Sequence, residues 1–126
     1  MSIVVTGSGG QLGSELCRQL GGEAVPLDLP WFELTDRDGV IEAITGVGPR
    51  AVINTAAYTQ VDRAEEEPER CQAVNALGVA HLVQACRTLD CVLVEISTDY
   101  VFGGDTTRRV PYRETDAPQP HGVYAR

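Results

Sequence analysis

Gly7-Ser8-Gly9-Gly10-Gln11-Leu12-Gly13 follows the apolar run Ile3-Val4-Val5 and opens a stretch in which Leu12, Leu16 and Leu20 recur at helical spacing. This order of apolar strand, glycine turn and amphipathic helix decides the fold. Such a turn leaves backbone N–H groups unpaired at the helix start, where the helix dipole also favours negative charge. The pyrophosphate of a dinucleotide suits that place. The spacing is G-x-x-G-x-x-G, a variant of the G-x-G-x-x-G fingerprint. Each glycine has an expected task. Gly7 makes the tight turn, Gly10 lets the pyrophosphate approach the backbone, and Gly13 lets the helix pack close to the strand. The alternative is an ordinary strand-to-helix turn that happens to be rich in glycine.

Outward from this turn, short apolar runs alternate with helix-like segments, the pattern of a parallel α/β sheet. The first strand is expected over Ser2–Thr6, and Gly21-Gly22 ends the first helix. A second strand runs near Ala24–Asp28. Thr35 or Asp36 caps a helix carrying Val40, Ile41 and Ile44, with Gly46 as its stop. Ala51–Asn54 is a third strand. Pro68 interrupts the next helical region, whose longer second half carries Val79, Leu82, Val83 and Cys86. Cys91–Ile96 is a fourth strand, apolar except for Glu95, as in strands buried on both faces. From Gly103 onward Gly, Pro, Thr and Arg dominate, which reads as loop. The expected fold is a Rossmann-like, doubly wound parallel sheet forming one domain over residues 1–126, with strand order 3-2-1-4.

Composition narrows the function classes. A chain of 126 residues with 43% hydrophobic content and a net charge of −8 fits a single globular domain. That charge disfavours nucleic acid or an anionic membrane as partner, because both need a basic face. No apolar run approaches a membrane span and the N-terminus has no signal-peptide pattern. Cys17, Cys71, Cys86 and Cys91 form no C-x-x-C pair and read as reduced thiols of a cytoplasmic protein. His81 and His121 lack partners at ligand spacing, so no metal site is expected. All ten basic residues are arginine.

Asp28 lies about twenty residues beyond the glycine turn, where a dinucleotide fold places a carboxylate against the adenosine ribose hydroxyls. A carboxylate there repels a 2′-phosphate and tilts preference toward NADH over NADPH. Two further strand ends carry polar or small residues: Asn54-Thr55-Ala56-Ala57-Tyr58-Thr59 and Ser97-Thr98-Asp99-Tyr100-Val101-Phe102. Ligands of open α/β sheets bind at the carboxyl ends of strands. Ala56 and Ala57 let a cofactor lie against the backbone, and Thr98 offers a hydroxyl to a substrate carbonyl. Tyr124 follows the Pro118-Gln119-Pro120 loop. Tyr100 and Phe102 read as packing residues, Asp62 and Glu65–Glu67 as a solvated helix start, and Arg108-Arg109 as a solvated loop tip.

Taken together, Thr6-Gly7-x-x-Gly10-x-x-Gly13, Asn54 through Thr59 with Val61-Asp62-x-Ala64-Glu65, Ser97 through Phe102, and Val123-Tyr124 resemble the dTDP-4-dehydrorhamnose reductase family. This family belongs to the extended short-chain dehydrogenase/reductases. The resemblance implies reduction of the 4-keto group of dTDP-4-dehydro-L-rhamnose with NADH or NADPH. It implies Tyr124 as general acid and Thr98 as its partner on the same oxygen. It places Gly7, Gly10, Gln11, Leu12 and Gly13 at the pyrophosphate, Glu33 and Leu34 near the adenine, and Ala56, Ala57 and Tyr58 toward the nicotinamide. It also implies a dTDP-sugar as partner and a homo-oligomer.

In that superfamily a lysine follows the tyrosine by four positions, which lies beyond Arg126. Lowering a tyrosine pKa from ~10 to near 7 needs roughly 4 kcal/mol of electrostatic help. The chain is therefore expected to correspond to the N-terminal part of a reductase, lacking the C-terminal substrate region and inactive by itself. A different class stays open: a non-catalytic NAD(P)-binding regulatory subunit resembling the methionine adenosyltransferase beta subunit.

Overall fold

The computed structural model describes all residues, 1–126. Four parallel strands, β1 (Ile3–Thr6), β2 (Ala24–Leu27), β3 (Ala51–Asn54) and β4 (Val92–Glu95), form one sheet in the order β2-β1-β3-β4. The helices are α1 (Gln11–Leu20), α2 (Arg37–Val47), α3 (Val61–Ala64), α4 (Pro68–Gln72) and α5 (Gly78–Leu89). Residues Ala73–Leu77 form a π-helical turn that joins α4 to α5.

The observed strand order corrects the expected 3-2-1-4. β3 pairs with β1, not outside β2, so the chain crosses back over β1 after α2. Pro26 supplies a physical reason. It has no N–H to give to a ladder, and such a residue is tolerated at a sheet edge but not in a central strand. β2 is accordingly an edge strand.

The two faces of the sheet are covered unequally. On one face α2 and α5 pack together over Val4, Val52 and partly buried Leu93, making the main core with Phe32, Leu34, Val40, Ile44, Leu82, Ala85 and Cys86. Full burial of a side chain such as Ile44 or Leu82 contributes about 1.5–3 kcal/mol each. On the other face α1 covers β1 and β2. Within α1 it is Gly13, Leu16, Cys17 and Leu20 that turn inward, while Leu12 stays exposed. Nothing on that face covers β4, and Val92, Val94 and Ile96 are 61%, 42% and 44% exposed. The apolar character of β4 suits a strand covered on both faces, but only its Leu93 side is covered here.

Local signals set the helix ends. Asp36 is the cap of α2, its carboxylate accepting the Gly39 N–H at 3.1 Å. Gly46 lies inside that helix; the stop is Gly48, in the left-handed conformation. Pro68 starts α4 at a first-turn position, where its missing N–H costs nothing. The segment after Gly103 has neither helix nor strand.

Candidate functional site

Three strands end in register at Thr6, Asn54 and Glu95. The Thr6 hydroxyl donates to Asn54 Oδ1 at 2.5 Å. Asn54 Nδ2 donates to both Glu95 carboxylate oxygens at 3.0 and 2.8 Å. Asn54 Oδ1 also accepts the Ala56 N–H at 3.2 Å. Burial pushes the Glu95 carboxyl above its ordinary range, and the Asn54 hydrogen bond partly offsets this.

The glycine turn stands beside these ends. Gly7 has φ +68°, and a Cβ there would lie 2.6 Å from the Ala56 nitrogen, so no side chain fits. Gly10 caps α1 without a side chain, which leaves the first N–H groups of α1, from Gln11 through Gly13, without intrahelical partners. A Cβ on Gly13 would collide with the Gly7 carbonyl oxygen and sit 2.8 Å from Thr55 Oγ1. Asp28 faces the turn from the end of β2. Its Oδ2 accepts the Gly9 N–H at 2.6 Å and its Oδ1 the Leu29 N–H at 2.8 Å.

Next to the turn lies a cavity of about 710 Å³ whose walls include Leu12, Ala56, Ala57, Thr98 and Tyr124. Thr98 Oγ1 accepts the Tyr100 N–H at 3.2 Å and so caps the short helical turn Asp99–Val101. Tyr124 is held from several directions. The N–H of its neighbour Val123 donates to Glu65 Oε1 at 2.7 Å. Its ring meets Tyr100 edge-on, with centroids 5.6 Å apart. Val123 and Tyr124 also pack on a small second core of Tyr58, Ala64 and Cys71.

Of the expected residues, Gly7, Gly10, Gln11, Gly13 and Asp28 lie at the glycine turn beside the cavity, and three are brought to neither place. Leu34 is only 4% exposed and belongs to the main core. Glu33 is exposed and accepts from the Thr35 hydroxyl at 3.0 Å. Tyr58 turns its ring into the second core and donates its hydroxyl to Glu67 Oε2 at 2.8 Å. That bond holds the Glu67 carboxyl below its usual range, while burial and Glu67 raise the Tyr58 phenol.

Other residues have roles that sequence reasoning missed. Asn75 sits in the π-helical turn, accepts the Tyr58 N–H at 2.8 Å and donates to the Tyr58 carbonyl at 2.9 Å, clamping the loop that carries Ala56 and Ala57. π-turns of this kind are frequent at functional sites, but no local sequence signal announces one. Glu65 and Glu67 are not simply a solvated helix start, because they anchor Val123 and Tyr58. Arg108 is not a solvated tip: it pairs with Asp116 at 2.6 Å and stacks on Tyr112, which itself stacks on Phe102.

Comparison with known proteins agrees with this architecture. The family described as RmlD substrate binding domain matches residues 1–126. A dTDP-4-dehydrorhamnose reductase from Mycolicibacterium smegmatis is 44% identical over 98% of this chain and 38% of its own length. A crystal structure of a dTDP-4-dehydrorhamnose reductase from Clostridium acetobutylicum superposes with TM-score 0.93 at 37% identity, covering 99% of this chain and 45% of that one. A second, from Bacillus anthracis in complex with NADP, gives TM-score 0.91 at 35% identity, covering 98% and 45%. The chain thus spans less than half the length of these relatives. Matched along its whole length, it belongs to the RmlD substrate binding domain family and has a Rossmann-like fold.

Proposed function

We propose that residues 1–126 are the NAD(P)-binding domain of a dTDP-4-dehydrorhamnose reductase, which reduces the 4-keto group of dTDP-4-dehydro-L-rhamnose to give dTDP-L-rhamnose. The observation that carries the reading is the meeting of two parts. An uncapped helix N-terminus behind Gly7 opens beside a cavity that presents Thr98 and Tyr124. The relatives named above support the same substrate and a nicotinamide cofactor.

The residues fit a dinucleotide. The Gly7 and Gly13 positions have no room for a side chain, and the free N–H groups of Gln11, Leu12 and Gly13 suit a pyrophosphate. Asp28 retains lone pairs for ribose hydroxyls, and Ala56 and Ala57 offer a low wall on which a flat ring can lie. When bound, the reduced nicotinamide supplies a hydride to the C4 carbonyl carbon of the sugar. Tyr124 donates a proton to the C4 oxygen, and Thr98 donates a hydrogen bond to it as negative charge develops. Tyr58 contributes through its backbone, held by Asn75, and Leu34 through its place in the core. The part of the relatives that this chain does not span would supply the rest of the sugar-nucleotide site. The 126-residue chain alone is therefore expected to bind cofactor without turnover, in the cytoplasm, and to self-associate. No helix is long and apolar enough to cross a membrane.

Calorimetric titration with NADH and NADPH tests the proposal. Binding of both is expected, with NADH at least as tight because a carboxylate at Asp28 would repel a 2′-phosphate. A well-folded sample that takes up neither at millimolar concentration refutes it. Binding of cofactor by a longer form that leaves dTDP-4-dehydrorhamnose unreduced would favour the regulatory reading.

A further inference from the structure

The strand that carries Glu95 is otherwise apolar, Val92-Leu93-Val94, and burial works against its charge. Glu95 is also the only carboxylate in the wall of the cavity. We propose that Glu95 is a positioning residue: by accepting from Asn54 Nδ2 with both carboxylate oxygens it fixes that amide so that its oxygen holds the Ala56 N–H and the Thr6 hydroxyl. The inference rests on the reading of this cavity as a cofactor site.

The argument is one of donors and acceptors. An amide can sit in either of two orientations, related by a flip, and its neighbours choose between them. The Ala56 N–H can only donate, so it selects the Asn54 oxygen. The Glu95 carboxylate can only accept, so it selects the Asn54 nitrogen. Both choices agree, and the Thr6 hydroxyl, which can do either, follows as a donor at 2.5 Å. Without Glu95 the Asn54 Nδ2 group loses its acceptor, and the flipped state is opposed by the Ala56 N–H alone. Ala56 is the residue that touches the Gly7 turn on one side and the cavity on the other. Glu95 thus acts on the cofactor wall through Asn54, across the sheet, with no need to touch cofactor itself.

The test uses the 126-residue chain with Glu95→Gln and Glu95→Ala. Two readouts are taken: hydrogen exchange of the Ala56 amide, and NADH affinity by calorimetry. Glu95→Ala is expected to speed Ala56 exchange about tenfold and weaken NADH by about the same factor, the net worth of one hydrogen bond. Glu95→Gln keeps an acceptor and is expected to stay within about twofold on both. Exchange of the Val4 and Val52 amides, two residues before the network on the same strands, should stay as in the parent in both variants. Unchanged Ala56 exchange in Glu95→Ala overturns the proposal, and so does a Gln variant as impaired as the Ala variant. Should Glu95→Ala fail to fold, Glu95→Met keeps the chain length without the acceptor and is read the same way. A parent chain that binds no NADH refutes the cofactor reading, while Ala56 exchange still decides the role of Glu95.

Discussion

Replacing Gly13 with Ala puts one methyl group where the structure has no room for it. The added Cβ would collide with the Gly7 carbonyl oxygen and approach Thr55 Oγ1 to 2.8 Å. Neither neighbour can retreat easily. Gly7 is itself wedged against the Ala56 backbone at φ +68°, and Thr55 Oγ1 is bonded to the Thr6 carbonyl oxygen at 2.7 Å. The helix must therefore lift from the sheet, loosening Leu16 and Leu20. Overpacking of this kind costs about 1–3 kcal/mol, and a rigid backbone obstacle puts it at the upper end. Alanine returns about 1 kcal/mol of helix propensity relative to glycine. The net loss is about 2 kcal/mol, which lowers Tm by roughly 6–10 °C for a domain of this size. Gly46→Ala is the matched control. Gly46 is exposed within α2, with nothing within 4 Å of its added Cβ, so the same substitution should raise Tm by about 3–5 °C. Thermal melts followed by circular dichroism compare the two. A Gly13→Ala chain that melts at or above the parent would refute the steric reasoning, and NADH affinity retained in full would separate Gly13 from the pyrophosphate site.

In a longer form that turns over, Tyr124→Phe should lower kcat by on the order of 10²–10⁴ while NADH affinity stays within about twofold; Thr98→Val should also lower kcat, and near-parental turnover in either variant removes that residue from its role. Stability should respond to pH through two carboxylates of opposite sign. The Glu67 carboxyl is held low by the Tyr58 hydroxyl, so its stabilisation is present above the ordinary carboxylate range and is lost as pH falls through its folded value; urea titrations of Glu67→Gln should show a shallower acid limb. The Glu95 carboxyl is raised by burial, so stability declines as pH rises between its ordinary and its folded value; Glu95→Gln should be more stable than the parent at pH 7, with the gain gone at low pH. The uncovered β4 should recruit a second chain, and sedimentation at tens of micromolar should show association that Val94→Lys suppresses; a monomeric parent would contradict this.

Much of the architecture is legible because its signals are local. Ile3-Val4-Val5 followed by glycines and a helical leucine spacing gives β1, the turn and α1 without tertiary information. Strand order is not legible in the same way, because it is set by which edge each crossover chooses, and the one residue that bears on it, Pro26, acts through the ladder hydrogen bond it cannot make. Gly46 and Gly48 are equally plausible stops by composition; only the second takes the left-handed conformation. Within the site, Gly7, Gly13 and Asp28 follow from spacing alone. Leu34 and Tyr58 carry motif positions, but where their side chains point depends on packing against α5 and on Glu67, which spacing does not encode. Asn75, Glu65 and Glu95 were missed as functional residues for the same reason: each acts on a backbone group 17 to 58 positions away or, for Glu95, on the side chain of Asn54.

The side-chain chain Thr6–Asn54–Glu95 also settles a matter of alignment. Ile3, Val4 and Val5 are all buried, so β1 is apolar on both faces. A strand of that kind could slide along its neighbour by a residue and still bury oily groups, because alternation gives no clue as to which pairing is correct. The three polar ends meet only when Thr6 stands opposite Asn54 and Asn54 opposite Glu95. Any slip strands a buried hydroxyl or amide without a partner, a cost of about 1–3 kcal/mol per group. These residues serve as the index marks by which three interchangeable strands find one another, and they stand at the end of the sheet where a misalignment would spoil the site.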